Sequence, residues 1–272
     1  MHRTVDLTAG DAGTSIRIHR PDDAAVLPGL VYLHGGGWTL FSLDTHDRLM
    51  REYAARAGVA VIGIDYSLSP EAKFPRALDE TVAVVRWLRG QGAALGIDTA
   101  RIAIGGDSAG ANLSVAANLR LRDAREPLLA AMLLNYGAYD SRPTPSYARY
   151  DGPDYMLTVA EMDGFWRNYT RGAADLGDPY VCPALADLTG LPPAFMTIAR
   201  CDILADMNRG MAMALRAAGV PVTDIVYDGA THSFLEAMSI APLAQRALAD
   251  ASNWLREVLA HAPTESGNGR NL

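Results

Sequence analysis

The stretch "RIAIGGDSAGANLS", residues 101–114, constrains the fold more than any other in the chain. An apolar run reaches two glycines, an aspartate and a serine. A third glycine and a helix-favouring segment follow. A β-branched run ending in Gly-x-Ser-x-Gly and opening into a helix requires a buried strand, a turn with almost no room for side chains, and a helix packed back on the sheet. The pattern alone is weak, because glycine and serine are common. The strand before it and the helix after it are what the motif needs.

The rest of the chain repeats this rhythm. Apolar runs rich in Val, Ile and Leu occur at Leu30–Leu33, Val59–Tyr66, Arg101–Gly105, Leu129–Asn135, Ala194–Arg200 and Thr223–Tyr227. They read as strands covered on both faces. Amphipathic segments near 45–57, 74–90, 110–123, 207–218 and 241–260 read as helices. In the second, Leu78, Val82, Val85 and Leu88 form one stripe that Gly90 ends. Such alternation implies a mostly parallel sheet with helices on both faces. The start differs: "TVDLT" and "TSIRIHR" flank "AGDAG", which reads as an antiparallel hairpin at a sheet edge. Residues 141–180 also break the rhythm. They hold Tyr147, Tyr150, Tyr155, Phe165, Trp166 and Tyr169, too many aromatics for a solvated loop, and read as an insertion over one end of the sheet. With no linker in view, residues 1–272 read as one domain, with a polar, disordered tail over 262–272.

Composition removes several function classes. The 24 basic and 31 acidic residues give a net charge of −7, which repels phosphate backbones, so no nucleic-acid partner is expected. The same charge opposes anionic lipid, and no apolar run reaches the ~18 residues of a membrane span. Cys182 and Cys201 have no partner spacing for a disulfide framework or a metal site and read as buried thiols. The N-terminus lacks an apolar signal core. The expectation is a soluble cytoplasmic protein without metal or cofactor.

Ser108 then reads as a nucleophile on a sharp strand-to-helix turn; the competing reading is an N-capping serine. An attacking serine needs donors for the oxyanion that forms on the substrate carbonyl. His34-Gly35-Gly36-Gly37-Trp38 supplies them after the strand "GLVYL". The N–H groups of Gly36, Gly37 and Ala109 are the expected oxyanion hole, with Gly35 making the turn. A phosphate-binding loop fails, since G-x-x-x-x-G-K-[ST] is absent. With this elbow, the acid and the histidine follow the serine in that order. His232, after the last strand, fits better than His261, which lies beyond the last helix at the start of the tail. Asp202, at the end of the preceding strand, ranks above Asp206, whose natural place is a helix N-cap, and above Asp228. Trp38, Leu40, Phe41, Tyr155, Phe165 and Trp166 are the expected apolar substrate pocket.

With these pieces placed, the chain resembles the hormone-sensitive lipase family of α/β-hydrolases, in its G-D-S-A-G branch. "HGGGW", "DTHDRLMREYAARAG", "VIGIDYSLSPEAKFPRALDE", "GDSAGANLS", "PYVCPALADLTGLPPAFMTIARCDILADMN" and "YDGATHSF" follow the family's order and spacing between about residues 30 and 260. The resemblance implies an α/β-hydrolase fold and a serine carboxylesterase with Ser108, Asp202 and His232 as its triad. It also implies a homodimer through the sheet edge or last helix. The chain departs from the family at Ser67, Ser233 and Gly137, and its glycine loop begins after only 33 residues. A reduced helical cap built from 141–180 and a preference for short acyl esters follow. Amide or arylformamide cleavage by the same triad, and a ligand-binding receptor on this scaffold, are the alternatives.

Overall fold

The computed structural model describes residues 3–10, 13–23 and 26–261; the expected tail over 262–272 lies outside them. Eight strands form one sheet: β1 (Arg3–Ala9), β2 (Thr14–Arg20), β3 (Leu27–Leu33), β4 (Ala60–Ile64), β5 (Ile97–Asp107), β6 (Met132–Asn135), β7 (Ala194–Cys201) and β8 (Val222–Thr231). Their order is β1-β2-β4-β3-β5-β6-β7-β8. The first two strands make the expected antiparallel hairpin, and β2 joins β4 antiparallel; every other pairing is parallel. Seven α-helices are described: α1 (Leu43–Ala57), α2 (Arg76–Gln91), α3 (Ala109–Asp123), α4 (Pro145–Tyr150), α5 (Val159–Tyr169), α6 (Ala205–Ala217) and α7 (Pro242–Ala260).

Strand side chains alternate between two apolar layers. Val31 and Leu33 of β3 face the layer that holds Leu78 and Val82 of α2, Leu113 of α3 and Met211 of α6. Leu30 and Tyr32 face the layer of Leu49 and Tyr53 from α1 and Leu248 and Leu255 from α7. The stripe Leu78, Val82, Val85 and Leu88 is buried, as its spacing requires. Helix α1 starts on a capping box, with the Ser42 side chain accepting from Asp44 N and Thr45 reciprocating, and stops at left-handed Gly58. Helix α5 starts the same way on Thr158 and Glu161.

Strand ends differ from the apolar runs where the ladder, not hydrophobicity, sets them. The run from Leu129 pairs regularly only from Met132. Strand β8 extends to Thr231, where a register shift between Ala199 and Cys201 aligns it with the end of β7. Residues 141–180 contain α4 and α5 with short 3-10 turns between and after them. Neither cysteine is bridged; Cys182 is buried as expected, but Cys201 is only half-buried. Among the described residues no helix is long and apolar enough to cross a membrane.

Candidate active site

Ser108 sits between β5 and α3 at φ 53 and ψ −113, a backbone conformation that side chains rarely adopt. Such a residue costs about 1–3 kcal/mol and persists only where its surroundings over-determine it. They do so here. Ser108 N donates to Asn135 O of β6 at 2.9 Å, and Ser108 O accepts from Asn112 N at 3.2 Å. A β-carbon on Gly110 would stand 1.9 Å from Leu33 O, and one on Gly106 would stand 2.2 Å from the same oxygen. The two glycines of the motif are therefore spaces through which the turn passes against β3.

The loop after β3 turns at Gly36 and Gly37, with φ +110 and +58, and continues left-handed through Trp38. Gly35 does not make the turn, contrary to expectation. It is small because a β-carbon there would lie 2.2 Å from Asp107 Oδ2. The N–H groups of Gly36, Gly37 and Ala109 have no acceptor among the described residues, which leaves them free as donors to a ligand. His34 at the head of the loop is fixed by stacking on Tyr66 at 4.4 Å, while Tyr66 Oη donates to His34 O at 2.8 Å. Burial pushes the His34 imidazole down to about 4, so it is neutral, with Nδ1 donating to Gly35 O at 2.7 Å.

The fold brings three remote side chains together. His232 Nε2 lies 3.0 Å from Ser108 Oγ, and His232 Nδ1 lies 2.7 Å from Asp202 Oδ2. Asp202 is 1% exposed; Ser108 and His232 are each 6% exposed. The second oxygen of Asp202 accepts from Leu204 N at 2.9 Å, which fixes the carboxylate in the turn before α6. Ser146 of α4 braces that turn, donating to Ile203 O at 2.7 Å. The Tyr136 ring stands edge-on to His232 at 5.2 Å. The competing residues lie elsewhere. Asp206 is not the N-cap of α6, since Leu204 holds that place; its carboxylate pairs with Arg149 and Arg209 in the first turn. Asp228 pairs with Arg200 at the surface, and His261 donates to Glu257 O at the end of α7.

A cavity of about 320 Å³ opens over Ser108 and His232. Leu40, Phe41 and Phe165 line it, but Trp38, Tyr155 and Trp166 do not. Trp38 is fully buried, stacked on Tyr169 at 4.3 Å and tilted against Trp166 at 4.7 Å. The left-handed backbone at Trp38 and Phe41 turns one ring inward and leaves the other at the mouth. Tyr155 packs edge-on against Tyr150. The walls also include residues not singled out from the sequence: Met156, Leu157, Glu161 and Met162 from the 141–180 segment, and His46, Asp107 and Glu236. Only Asp107 carried a signal, as the variable residue of the Gly-x-Ser-x-Gly motif. Among the described residues no three His, Cys, Asp or Glu side chains are grouped to hold a metal ion.

Residues 30–236 match the family model described as the alpha/beta hydrolase fold. The acetyl esterase of Salmonella choleraesuis is 38% identical over 248 residues, covering 90% of this chain and 76% of that protein. The chain is a member of the hormone-sensitive lipase family of α/β-hydrolases. Among solved structures, an esterase of Pyrobaculum calidifontis superposes with a TM-score of 0.91 at 35% identity, covering 94% of this chain and 86% of that one. EstE1, a thermostable carboxylesterase cloned from a metagenomic library, superposes with a TM-score of 0.92 at 31% identity, covering 95% and 90%. This family member is accordingly a carboxylic ester hydrolase that acts on small-molecule esters.

Proposed function

We propose that this hydrolase cleaves short-chain acyl esters, acetyl to hexanoyl, through an acyl-enzyme on Ser108. The observation that carries the reading is the continuous hydrogen-bonded line from Asp202 through His232 to Ser108 Oγ, opening into a cavity of about 320 Å³. That volume is at the low end for ligand sites. His232 Nε2 takes the Ser108 proton as Oγ attacks the ester carbonyl. The N–H groups of Gly36, Gly37 and Ala109 stabilise the oxyanion. His232 then protonates the leaving alkoxide, and water repeats the sequence on the acyl-enzyme. Asp202 holds the Nδ1–H tautomer and stabilises the imidazolium that forms. Similarity to an acetyl esterase supports the short acyl preference.

In this reading residues 141–180 form a reduced cap on a single domain, since Met156, Leu157, Met162 and Phe165 wall the cavity. The enzyme works in the cytoplasm, without nucleic-acid partners, as a homodimer through a sheet edge or α7; light scattering checks the last point. A panel of p-nitrophenyl esters from acetate to palmitate tests the specificity. The highest kcat/KM is expected between acetate and hexanoate. Faster turnover of long-chain triglycerides than of butyrate esters would contradict it.

A further inference from the structure

His46 of α1 is buried, 3% exposed, yet it forms part of the cavity wall. Its Nε2 lies 3.3 Å from Asp107 Oδ2, the residue immediately before Ser108. Its Nδ1 lies 2.9 Å from Thr45 Oγ1. The Thr45 hydroxyl also lies 2.8 Å from Ser42 O, to which it can donate. With the Asp107 carboxylate at Nε2, and the Thr45 hydroxyl and the Ser42 carbonyl beside the ring, these surroundings favour the imidazolium. Burial acts against that charge, but the Asp107 carboxylate, with Glu236 Oε1 at 3.7 Å, outweighs it and holds the pKa above the usual histidine value. Asp107 is itself buried, accepts from Tyr32 Oη at 2.9 Å, and is kept ionised chiefly by His46 against the cost of its burial.

The same ring meets both ends of the glycine loop. His34 packs against it at 5.4 Å and Phe41 at 5.8 Å. Gly35, between them, has no side chain and lies directly on the Asp107 carboxylate. The groups facing His46 are thus Asp107 from β5, His34 and Phe41 from the loop, the Ser42 carbonyl and Thr45 at the start of its own helix, and Glu236 from the segment after His232. We propose that His46 is a positioning residue: it pins the oxyanion loop to the nucleophile turn through Asp107. It touches no reacting atom. The inference rests on the reading of the Gly36 and Gly37 amides as oxyanion donors.

Removing the pin would let the loop drift, and a displacement of about 1 Å in a catalytic group costs on the order of 10²-fold in rate. The test compares wild type, His46→Leu, which keeps bulk but no donor, and His46→Gln, which keeps a donor near the position of Nε2. The substrate is p-nitrophenyl butyrate and the transition-state probe an aryl trifluoromethyl ketone. His46→Leu is expected to lower kcat by about 10- to 100-fold with KM within about twofold. Its affinity for the ketone should weaken by the same factor as kcat/KM, and His46→Gln should recover at least half of both losses on a logarithmic scale. Equal losses in the two variants, a loss confined to KM, or a ketone affinity that does not follow kcat/KM overturns the proposal. Histidine-selective 15N NMR at pH 7 keeps the test open if His46→Leu does not fold. One ring protonated on both nitrogens in wild type and absent from His46→Gln supports the assignment; a neutral ring overturns it. Wild type that binds the ketone but turns over no aryl ester breaks the reading of function alone, and the order of ketone affinities, wild type above His46→Gln above His46→Leu, then decides the proposal; wild type that does neither overturns both.

Discussion

Adding one methyl group at Gly37 tests whether the loop and the 141–180 segment form the site together. A β-carbon there would stand 2.1 Å from Phe165 Cγ. Carbons in contact keep about 3.5 Å, so loop or ring must yield by about 1.4 Å. If the loop yields, a donor amide moves by the same order, worth about 10²-fold in rate or about 2.7 kcal/mol of transition-state energy. A second cost is independent of Phe165: alanine at the left-handed φ of +58 loses about 1–2 kcal/mol of stability. Gly37→Ala should therefore lower kcat/KM for p-nitrophenyl butyrate by about 100-fold. Phe165→Ala, which only opens the cavity, should cost no more than about tenfold. The double variant should be at least about tenfold faster than Gly37→Ala alone, a coupling of about 1.4 kcal/mol or more, because the obstacle is gone. Stability should not recover, since the backbone strain remains. A double variant no faster than the product of the two single effects would show that the ring is not what opposes the methyl group.

Three further outcomes follow from the same contacts. Asp202→Asn removes the anion 2.7 Å from His232 Nδ1 and should lower kcat by about 10³- to 10⁴-fold with little change in KM, read from steady-state kinetics on the same ester. Trp38→Ala empties a fully buried site between Tyr169 and Trp166; a loss of about 3–5 kcal/mol in urea unfolding marks it as core rather than pocket. Although 43% of the Glu236 side chain is exposed, desolvation where it lines the cavity wall, and then the charge of Asp107, lift its carboxyl to about 7, with His46 partly offsetting them. A carboxyl raised by folding keeps its proton in the folded state after the unfolded chain has lost it, so stability falls as pH rises from the usual carboxyl value to about 7 and stays lower above it. Glu236→Gln should thus stabilise the protein at pH 8.5 more than at pH 5; a melting-temperature difference that shrinks with rising pH would refute this.

The sheet and the three convergent side chains were legible because each is written locally. Parallel strands buried on both faces are runs of Val, Ile and Leu, and Ser108, Asp202 and His232 each follow such a run. The glycines around Ser108 announce the turn because no other residue fits against Leu33 O. The cavity wall was not legible in the same way. Whether Trp38 or Phe41 faces the mouth depends on left-handed backbone at both positions, and apolar content does not encode it. Trp166 and Phe165 are adjacent on α5, so a rotation of about 100° along the helix sends one ring to the core and the other to the cavity. His46 gave no signal as a wall residue, since its partners Asp107 and Glu236 lie 61 and 190 positions away in the chain. Charged groups that meet only through tertiary folding leave no pattern in sequence.

The most direct measurement is covalent capture of the nucleophile. A fluorophosphonate should add once per chain, at Ser108, and abolish ester hydrolysis in proportion to labelling, as read by intact mass and peptide mapping. Ser108→Ala should take up no label and lose at least about 10³-fold in kcat. An adduct on any other residue, or Ser108→Ala turning over butyrate esters at the wild-type rate, would contradict the account.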